Sequence, residues 1–485
     1  MESENLVTGA AWSLGARVAS VVIRAGSVVV LVRLLTPSAY GTVTYMLSVA
    51  SLLMLIVDFG VSASTARMLA EEKYPRSQTL VAAGMALGVP FCLVLLGVYH
   101  ATGIAQEWLK APQLLALRDV LCALLVARVL RRFLKKCFEG IRRVDLSSKV
   151  SLLVEWMPWG VSIIGLLLWR RTAEVALYGN ALGTGVVVLA LGGVLWRVLE
   201  LRQTVALPSR EQVRDLCAYA LPLMATSASM YVYTESDILL VQYFLGERSV
   251  GIYGVVVRLA RTLHVPAIAI GSAAAGYFAK TRLSDDQRAD LFVYATQGVV
   301  ALYLPLSAGL VLTADELLPF VFGSEYGEAS FAAQIYAFYL FMNAISALHS
   351  LALDYMGFAR RRAVAALLSA AANVALNIVL IPQYGIEGAA LATQITYTPL
   401  ALWYVFVLLN SVGGSKTLFL RKMVPVFLST TGMVLTILLF KEYVSGTVFL
   451  VIPIGVASYV SFGYIFGIFS GTLYKYITGE KEWVG

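Results

Sequence analysis

Ionisable side chains inside long apolar stretches are the residues of this sequence best placed to do chemistry. They are Arg17, Arg24, Asp58, Glu235, Asp237, Arg258 and Arg261. A charge at the centre of a membrane helix costs about 2.5–3.5 kcal/mol on insertion scales, so each of these residues requires a partner or a task. Arginine suits phosphate, because its planar guanidinium donates two parallel hydrogen bonds and stays charged when partly desolvated. A buried carboxylate can instead bind a proton or Na⁺.

The elements that must position these residues are membrane helices. Hydrophobic residues make up 59% and charged residues 14% of the 485 positions, and the mean hydropathy is +0.78. Apolar runs of about 20 residues suit helical crossings, whereas a barrel strand needs only about 9–11 residues. The sequence therefore predicts an all-α integral membrane protein of about 14 transmembrane helices.

The basic residues between the spans indicate the orientation of the chain. If the N-terminus is cytoplasmic, the inner loops and tail hold 25 Lys and Arg residues and the outer side holds six. Such an excess is typical of cytoplasmic loops. We expect a multi-pass protein of the cell (plasma) membrane with both termini in the cytoplasm. The net charge of +8 lies in short clusters that specify topology, so nucleic acid is not an expected partner.

Two internal matches predict a duplicated architecture. At an offset of 210 residues, LLTPSAYG lies over FLGERSVG, and Gly41 coincides with Gly251. At an offset of 209, Gly179 coincides with Gly388. Two parallel six-helix lobes would give this period. We expect an N-lobe over residues 1–200, a C-lobe over 210–412, and two C-terminal helices with a cytoplasmic tail over 418–485.

Facing lobes would bring the first two helices of each repeat around one water-filled cavity. In that cavity the arginines would bind a phosphorylated or pyrophosphorylated substrate, and the carboxylates would couple transport to an ion. The alternative is that these charges pair with one another and lock the lobes together. Pro222 and Pro266 interrupt helices 7 and 8 and are candidate hinges, since proline removes a backbone hydrogen bond. The GxxxG pairs Gly84/Gly88 and Gly179/Gly183 predict close helix contacts.

The sequence contains none of the catalytic motifs that carry enzyme chemistry. A Walker A loop, an HExxH motif and a nucleophile elbow are all lacking, and the cysteines do not have the spacing of a metal site. We therefore expect a transporter and not an enzyme, without a cofactor or metal other than a coupling H⁺ or Na⁺.

Three stretches resemble the polysaccharide biosynthesis (Wzx-type) oligosaccharide flippase family of the MOP superfamily. They are RLLTPSAYGTVTYMLSVASLLMLIVDFGVSASTARMLA from residue 33, DILLVQYFLGERSVGIYGVVVRLA from Asp237, and NVALNIVLIPQYGIEGAALATQITY from Asn373. The resemblance implies a MATE-like core of two six-helix lobes plus two extra helices. It also implies that polyprenyl-(pyro)phosphate-linked oligosaccharide is flipped from the cytoplasmic to the outer leaflet by alternating access. Arg17, Arg24, Arg258 and Arg261 match the phosphate-binding positions.

Two other functions stay open at this point. One is a MATE-like drug/cation antiporter, in which Asp58, Glu235 or Asp237 would carry the driving ion. The other is a membrane glycan polymerase or ligase, which usually needs a larger extramembrane segment than this chain offers. The expected partners are the lipid-linked glycan, membrane lipid, and glycosyltransferases and a polymerase of the same pathway. We expect a monomer.

Overall fold

The computed structural model describes residues 22–72, 74–109, 112–141, 144–198, 208–278, 285–411, 416–443 and 448–468. These ranges are almost wholly helical and contain no strand, which confirms the all-α prediction. The first half comprises α1 (22–34), α2 (Pro37–Asp58), α3 (Val61–Glu71), α4 (Arg76–Leu109), α5 (Gln113–Ala116), α6 (Arg118–Gly140), α7 (Val144–Leu168) and α8 (Ala173–Val198). The second half comprises α9 (Arg210–Leu245), α10 (Glu247–Leu263), α11 (Val265–Phe278), α12 (Asp285–Phe322), a 3₁₀ helix (Ser324–Ala329), α13 (Ser330–Tyr355), α14 (Ala359–Ser411), α15 (Lys416–Tyr443) and α16 (Val448–Ile465).

Seven helical segments among the described residues are long and apolar enough to cross a bilayer. They are Pro37–Asp58, Ala173–Arg197, Glu247–Gly271, Asp290–Phe322, Ser324–Tyr355, Ala359–Ser411 and Thr417–Glu442. Shorter apolar helices add to these, such as Trp156–Leu168 and Phe449–Ile465. The chain is therefore a multi-pass membrane protein.

Local sequence signals determine where several helices begin and turn. The Thr36 hydroxyl accepts a hydrogen bond from the Ala39 N–H at 3.3 Å, with Pro37 in the first turn of α2. Ser209 forms a capping box with Gln212 at the start of α9. Within α14 the chain reverses at Gly385, whose φ of 64° favours glycine, so that α14 supplies two antiparallel segments.

The stretch near 313–330 is helical. α12 continues to Phe322, and the 3₁₀ helix follows it. The two helices are separated by Gly323, whose φ of 117° favours glycine. The acidic residues of this stretch therefore extend a transmembrane helix beyond its apolar part.

The chain divides into two compact units, residues 1–254 and 255–485. In the first unit a core cluster joins α3, α6, α7 and α8 around Leu69, Phe138, Val154 and Val187. In the second unit Met433, Ile437 and Val451 pack α15 against α16. The lobe boundaries at 200, 210 and 412 stay a prediction.

Candidate functional site

Asp58 lies at a break between α2 and α3. Phe59 and Gly60 have positive φ values of 43° and 81°, which divide this part of the chain into two helices. The Asp58 carboxylate accepts the Ser62 N–H at 3.2 Å and also the Ser62 hydroxyl. It thereby satisfies one of the free N–H groups in the first turn of α3.

An ion pair joins the buried Asp58 to the half-buried Arg132. The Arg132 Nε lies 3.1 Å from the Asp58 Oδ2, and the two side chains are 24% and 4% exposed. Arg132 also donates a hydrogen bond to the Tyr231 hydroxyl, and its guanidinium carbon lies 5.5 Å from the centroid of that ring. One arginine of α6 therefore connects α2 with α9. Arg132 lies within α6, which continues to Gly140.

Arg128 makes a second connection between α6 and α2, one turn earlier. Its Nη1 donates to the Leu47 carbonyl and to the Ser51 hydroxyl, both at 3.1 Å. Two arginines on one face of α6 therefore bind the same helix. Arg132 of α6 therefore balances the charge of Asp58.

The predicted carboxylates of α9 are buried in the first unit. Glu235 is 5% exposed and Asp237 is 3% exposed. The hydroxyl of the fully buried Tyr253 donates to the Asp237 Oδ2 at 3.2 Å. Asp237 of α9 is thus held against α10.

The predicted phosphate-binding arginines are described only in part. Arg17 lies outside the described residues, while Arg24, Arg258 and Arg261 are half-buried. Arg24 belongs to the first unit, and Arg258 and Arg261 belong to the second. Their meeting in one cavity stays a prediction.

The repeat places its equivalent residues in direct contact where α2 crosses α10. A Cβ on Gly41 would lie 1.8 Å from the Glu247 carbonyl oxygen, and a Cβ on Gly251 would lie 1.9 Å from the Pro37 carbonyl oxygen. The offset of 210 relates Gly41 to Gly251 and Pro37 to Glu247, so the contact is symmetric: Gly41 meets Glu247, and Gly251 meets the equivalent residue Pro37. Only glycine allows the two backbones to approach this closely.

A second close contact joins α3 to the first half of α9. A Cβ on Gly60 would lie 2.3 Å from the Ala220 carbonyl oxygen, and the Ser64 hydroxyl donates to the Leu216 carbonyl at 2.8 Å. The Arg67 guanidinium lies 4.2 Å from the centroid of the Tyr219 ring. α3 and the first half of α9 are therefore in close contact.

The helix is broken just before Pro266, and the role of this proline as a hinge stays a prediction. α10 ends at Leu263 and α11 begins at Val265. The Tyr303 hydroxyl donates to the Leu263 carbonyl at 2.6 Å and accepts the Ala267 N–H at 2.9 Å, so it replaces the helical bond between these two groups. Pro222 lies within α9, and its side chain is outside the described residues.

Neutral polar residues form a hydrogen-bonded network within α14. The pattern of ionisable residues in the sequence does not indicate it. In α14 the Asn377 amide donates to the Asn373 Oδ1 at 3.1 Å, and the Asn373 amide donates to the Thr393 hydroxyl at 3.4 Å. All three side chains are buried. They join the two antiparallel segments of α14 on either side of Gly385. Among the described residues, no group of three or more His, Cys, Asp or Glu side chains is arranged to hold a metal ion.

The chain is similar to known sequences over much of its length. Residues 30–331 match the model of a family described as polysaccharide biosynthesis protein. The chain is 24% identical over 263 residues to the probable low-salt glycan biosynthesis flippase Agl15 of Haloferax volcanii, which covers 53% of this chain and 54% of that protein. It thus matches about half the length of that relative. It is also 24% identical over 398 residues to a membrane protein of Methanocaldococcus jannaschii, covering 78% and 91% of the two chains.

Solved structures show the same fold. The lipid II flippase MurJ in an inward closed conformation superposes with a TM-score of 0.78 at 14% identity, covering 95% of this chain and 98% of that chain. An inward-facing multidrug resistance MATE transporter of the MOP superfamily superposes with a TM-score of 0.60 at 14% identity, covering 83% and 99%. At these identities the similarity describes the fold.

Proposed function

Because the chain belongs to the family of polysaccharide biosynthesis proteins, we propose that it flips polyprenyl-(pyro)phosphate-linked oligosaccharide from the cytoplasmic to the outer leaflet by alternating access. The observation that carries this proposal is the family match over residues 30–331, which is more than half of the chain. The name of the Haloferax relative, a probable glycan biosynthesis flippase, supports the same reaction.

The arginines Arg24, Arg258 and Arg261 supply the affinity for the substrate. All three are half-buried, so they are partly shielded from water but still accessible to a ligand. A guanidinium binds a phosphate oxygen pair in a bidentate manner and does not lose its proton on burial. The glycan stays in water while the polyprenyl chain stays in lipid. Protein groups therefore need to hold only the phosphate at membrane depth.

Alternating access requires contacts that open and close. The contact between α3 and α9 closes one end of the first unit through Gly60, Ser64 and Arg67. The break at Pro266 allows α10 and α11 to change their angle, while Tyr303 continues to satisfy the backbone at that break. In the proposed cycle these two places move, and the Asp58–Arg132 pair keeps α2 and α6 together throughout.

Reconstitution tests the proposal directly. Proteoliposomes containing a fluorescent polyprenyl-diphosphate glycan should transfer it between leaflets, measured by access of a membrane-impermeant quencher. Arg24→Gln and Arg258→Gln should each slow transfer at least tenfold, because a hydrogen bond to a charged group contributes about 1.5–3 kcal/mol. Arg170→Gln is the matched control, since Arg170 is exposed between α7 and α8. If the wild-type protein transfers no such lipid with or without an ion gradient, the proposal is wrong.

A drug/cation antiporter is the second candidate, favoured by the buried carboxylates Asp58, Glu235 and Asp237. In that case an H⁺ or Na⁺ gradient would drive export of a lipophilic cation, and Arg24→Gln would not reduce it. A glycan polymerase or ligase would instead yield a product longer than its substrate in the same vesicles. Cytoplasmic termini can be tested separately with a reporter fused to each end of the chain.

A further inference from the structure

An amphipathic groove on the second unit lies at the end of α14 that carries the Arg360, Arg361 and Arg362 triplet. Its volume is about 540 Å³, and it is lined by Arg360, Arg361, Val364, Ala365, Leu368 and Trp403. The arginines and the aliphatic residues belong to the first segment of α14, and Trp403 belongs to the second segment after the reversal at Gly385. The groove is therefore formed by two antiparallel helical segments of the same unit.

The three arginines of the triplet have different roles. Arg362 is paired with Asp354, and its Nε lies 2.6 Å from the Asp354 Oδ1. The Arg362 side chain is 18% exposed. Arg360 and Arg361 are exposed and line the groove. The Arg361 guanidinium carbon lies 5.6 Å from the centroid of the Phe358 ring. Two positive charges are thus held at the mouth of the groove.

Below the arginines the groove is apolar and faces hydrocarbon. Val364 and Leu368 are 53% and 66% exposed, as are the neighbouring Leu367 (57%) and Phe406 (64%). Large aliphatic and aromatic side chains this exposed on a membrane helix contact lipid chains. From Arg361 to Leu368 the helix rises about 10 Å, which corresponds to two turns from the membrane surface into the acyl region.

We propose that this groove binds an anionic phospholipid of the adjacent leaflet, with its phosphate on Arg360 and Arg361 and an acyl chain along Val364, Ala365 and Leu368 against Trp403. The charge distribution supports this occupant, because basic clusters at the end of a membrane helix bind anionic head groups. The predicted orientation places the triplet on the cytoplasmic side, where anionic lipids are enriched. Below the arginines the groove is lined by aliphatic residues and Trp403, which suits an acyl chain better than the many hydroxyls of a glycan.

The test measures lipid affinity in purified protein by titration and native mass spectrometry. Phosphatidylglycerol should bind more tightly than phosphatidylcholine. In the double variant Arg360→Gln/Arg361→Gln its affinity should fall about 25-fold, since each arginine near a membrane surface contributes about fivefold. The double variant Arg170→Gln/Arg171→Gln is the matched control. It removes an exposed arginine pair between α7 and α8 and should keep wild-type affinity.

A second variant separates the groove from simple charge attraction. Ala365→Trp fills the groove and leaves both arginines in place, so phosphatidylglycerol affinity should fall there too. Thermal unfolding in phosphatidylcholine nanodiscs shows that each variant is folded. Unchanged affinity in Arg360→Gln/Arg361→Gln or in Ala365→Trp overturns the proposal. So does equal binding by inorganic phosphate, which would indicate a free-anion site, or displacement of the lipid by farnesyl diphosphate, which would indicate an isoprenoid substrate site.

Discussion

Replacing Gly41 with alanine should force α2 and α10 apart. The new Cβ would lie 1.8 Å from the Glu247 carbonyl oxygen and 2.9 Å from the Gly251 nitrogen, whereas ordinary contact begins at 3.4 Å. Both obstructing atoms are backbone, so no side chain can rotate away. The helices must separate by about 1.6 Å to restore ordinary van der Waals contact with the oxygen.

Two opposing effects set how much unfolding free energy Gly41→Ala loses. Overpacking a close contact costs about 1–3 kcal/mol, and a backbone obstruction belongs at the upper end of that range. Alanine regains about 1 kcal/mol of helix propensity relative to glycine. We therefore expect Gly41→Ala to lose about 2 kcal/mol of unfolding free energy, and the symmetric Gly251→Ala to lose about the same.

The double variant gives the sharper result. One separation of the helices relieves both obstructions, because Gly41 and Gly251 lie at the same crossing. The second alanine then adds helix propensity without a further clash. We expect the double variant to be no less stable than either single variant, although independent sites would lose about 4 kcal/mol together.

Unfolding in detergent can be measured with a thiol-reactive dye in a background in which Cys92, Cys122 and Cys217 are replaced by serine, since the remaining Cys137 is a free cysteine that is fully buried in the folded protein. Gly84→Ala is the matched control, because no atom of the described part of the chain would come within 4 Å of its Cβ. The reasoning fails if Gly41→Ala is as stable as this control, or if the two losses at the crossing are additive.

Three further predictions concern polar contacts, all measured by the same unfolding assay. Asp58→Asn should lose about 1.5–3 kcal/mol because it removes the carboxylate that pairs with the half-buried Arg132, and adding Arg132→Met should recover part of that loss. Tyr303→Phe should lose about 1–3 kcal/mol, since the Leu263 carbonyl loses its donor at the helix break while the Ala267 N–H keeps a bond of 3.1 Å to the His264 carbonyl. Lys441→Met should lose about 1–2 kcal/mol, because the Lys441 Nζ lies 3.0 Å from the Glu316 Oε1 at a half-exposed site and also donates to a carbonyl of α12.

Each of these predictions has an outcome that would contradict it. Additive losses in the Asp58 and Arg132 double variant would mean that the ion pair carries no coupling. A neutral Tyr303→Phe would mean that the break is satisfied without the hydroxyl. A Lys441→Met variant no less stable than Lys441→Arg would mean that α15 does not depend on this contact.

Much of the fold follows from the sequence because its signals are local. Apolar length predicts membrane helices, and the capping residues Thr36 and Ser209 mark where α2 and α9 begin. Pro266 predicts the break between α10 and α11. The GxxxG prediction is confirmed for Gly179 and Gly183, whose Cβ atoms would meet backbone at 2.6 and 2.5 Å. For Gly84 and Gly88, no atom of the described residues would lie within 4 Å of an added Cβ, so a close contact there stays a prediction.

The sequence by itself determined that charges such as Asp58 lie within the bundle. A charged side chain in a membrane span is costly in contact with lipid, so it faces the other helices. Only the tertiary structure decided that Arg132, 74 positions away, neutralises Asp58. A side chain's partner depends on which helices are neighbours, and that is a property of the packed bundle. For the same reason the repeat indicated that Gly41 and Gly251 are equivalent, but only the helix crossing decided that they touch.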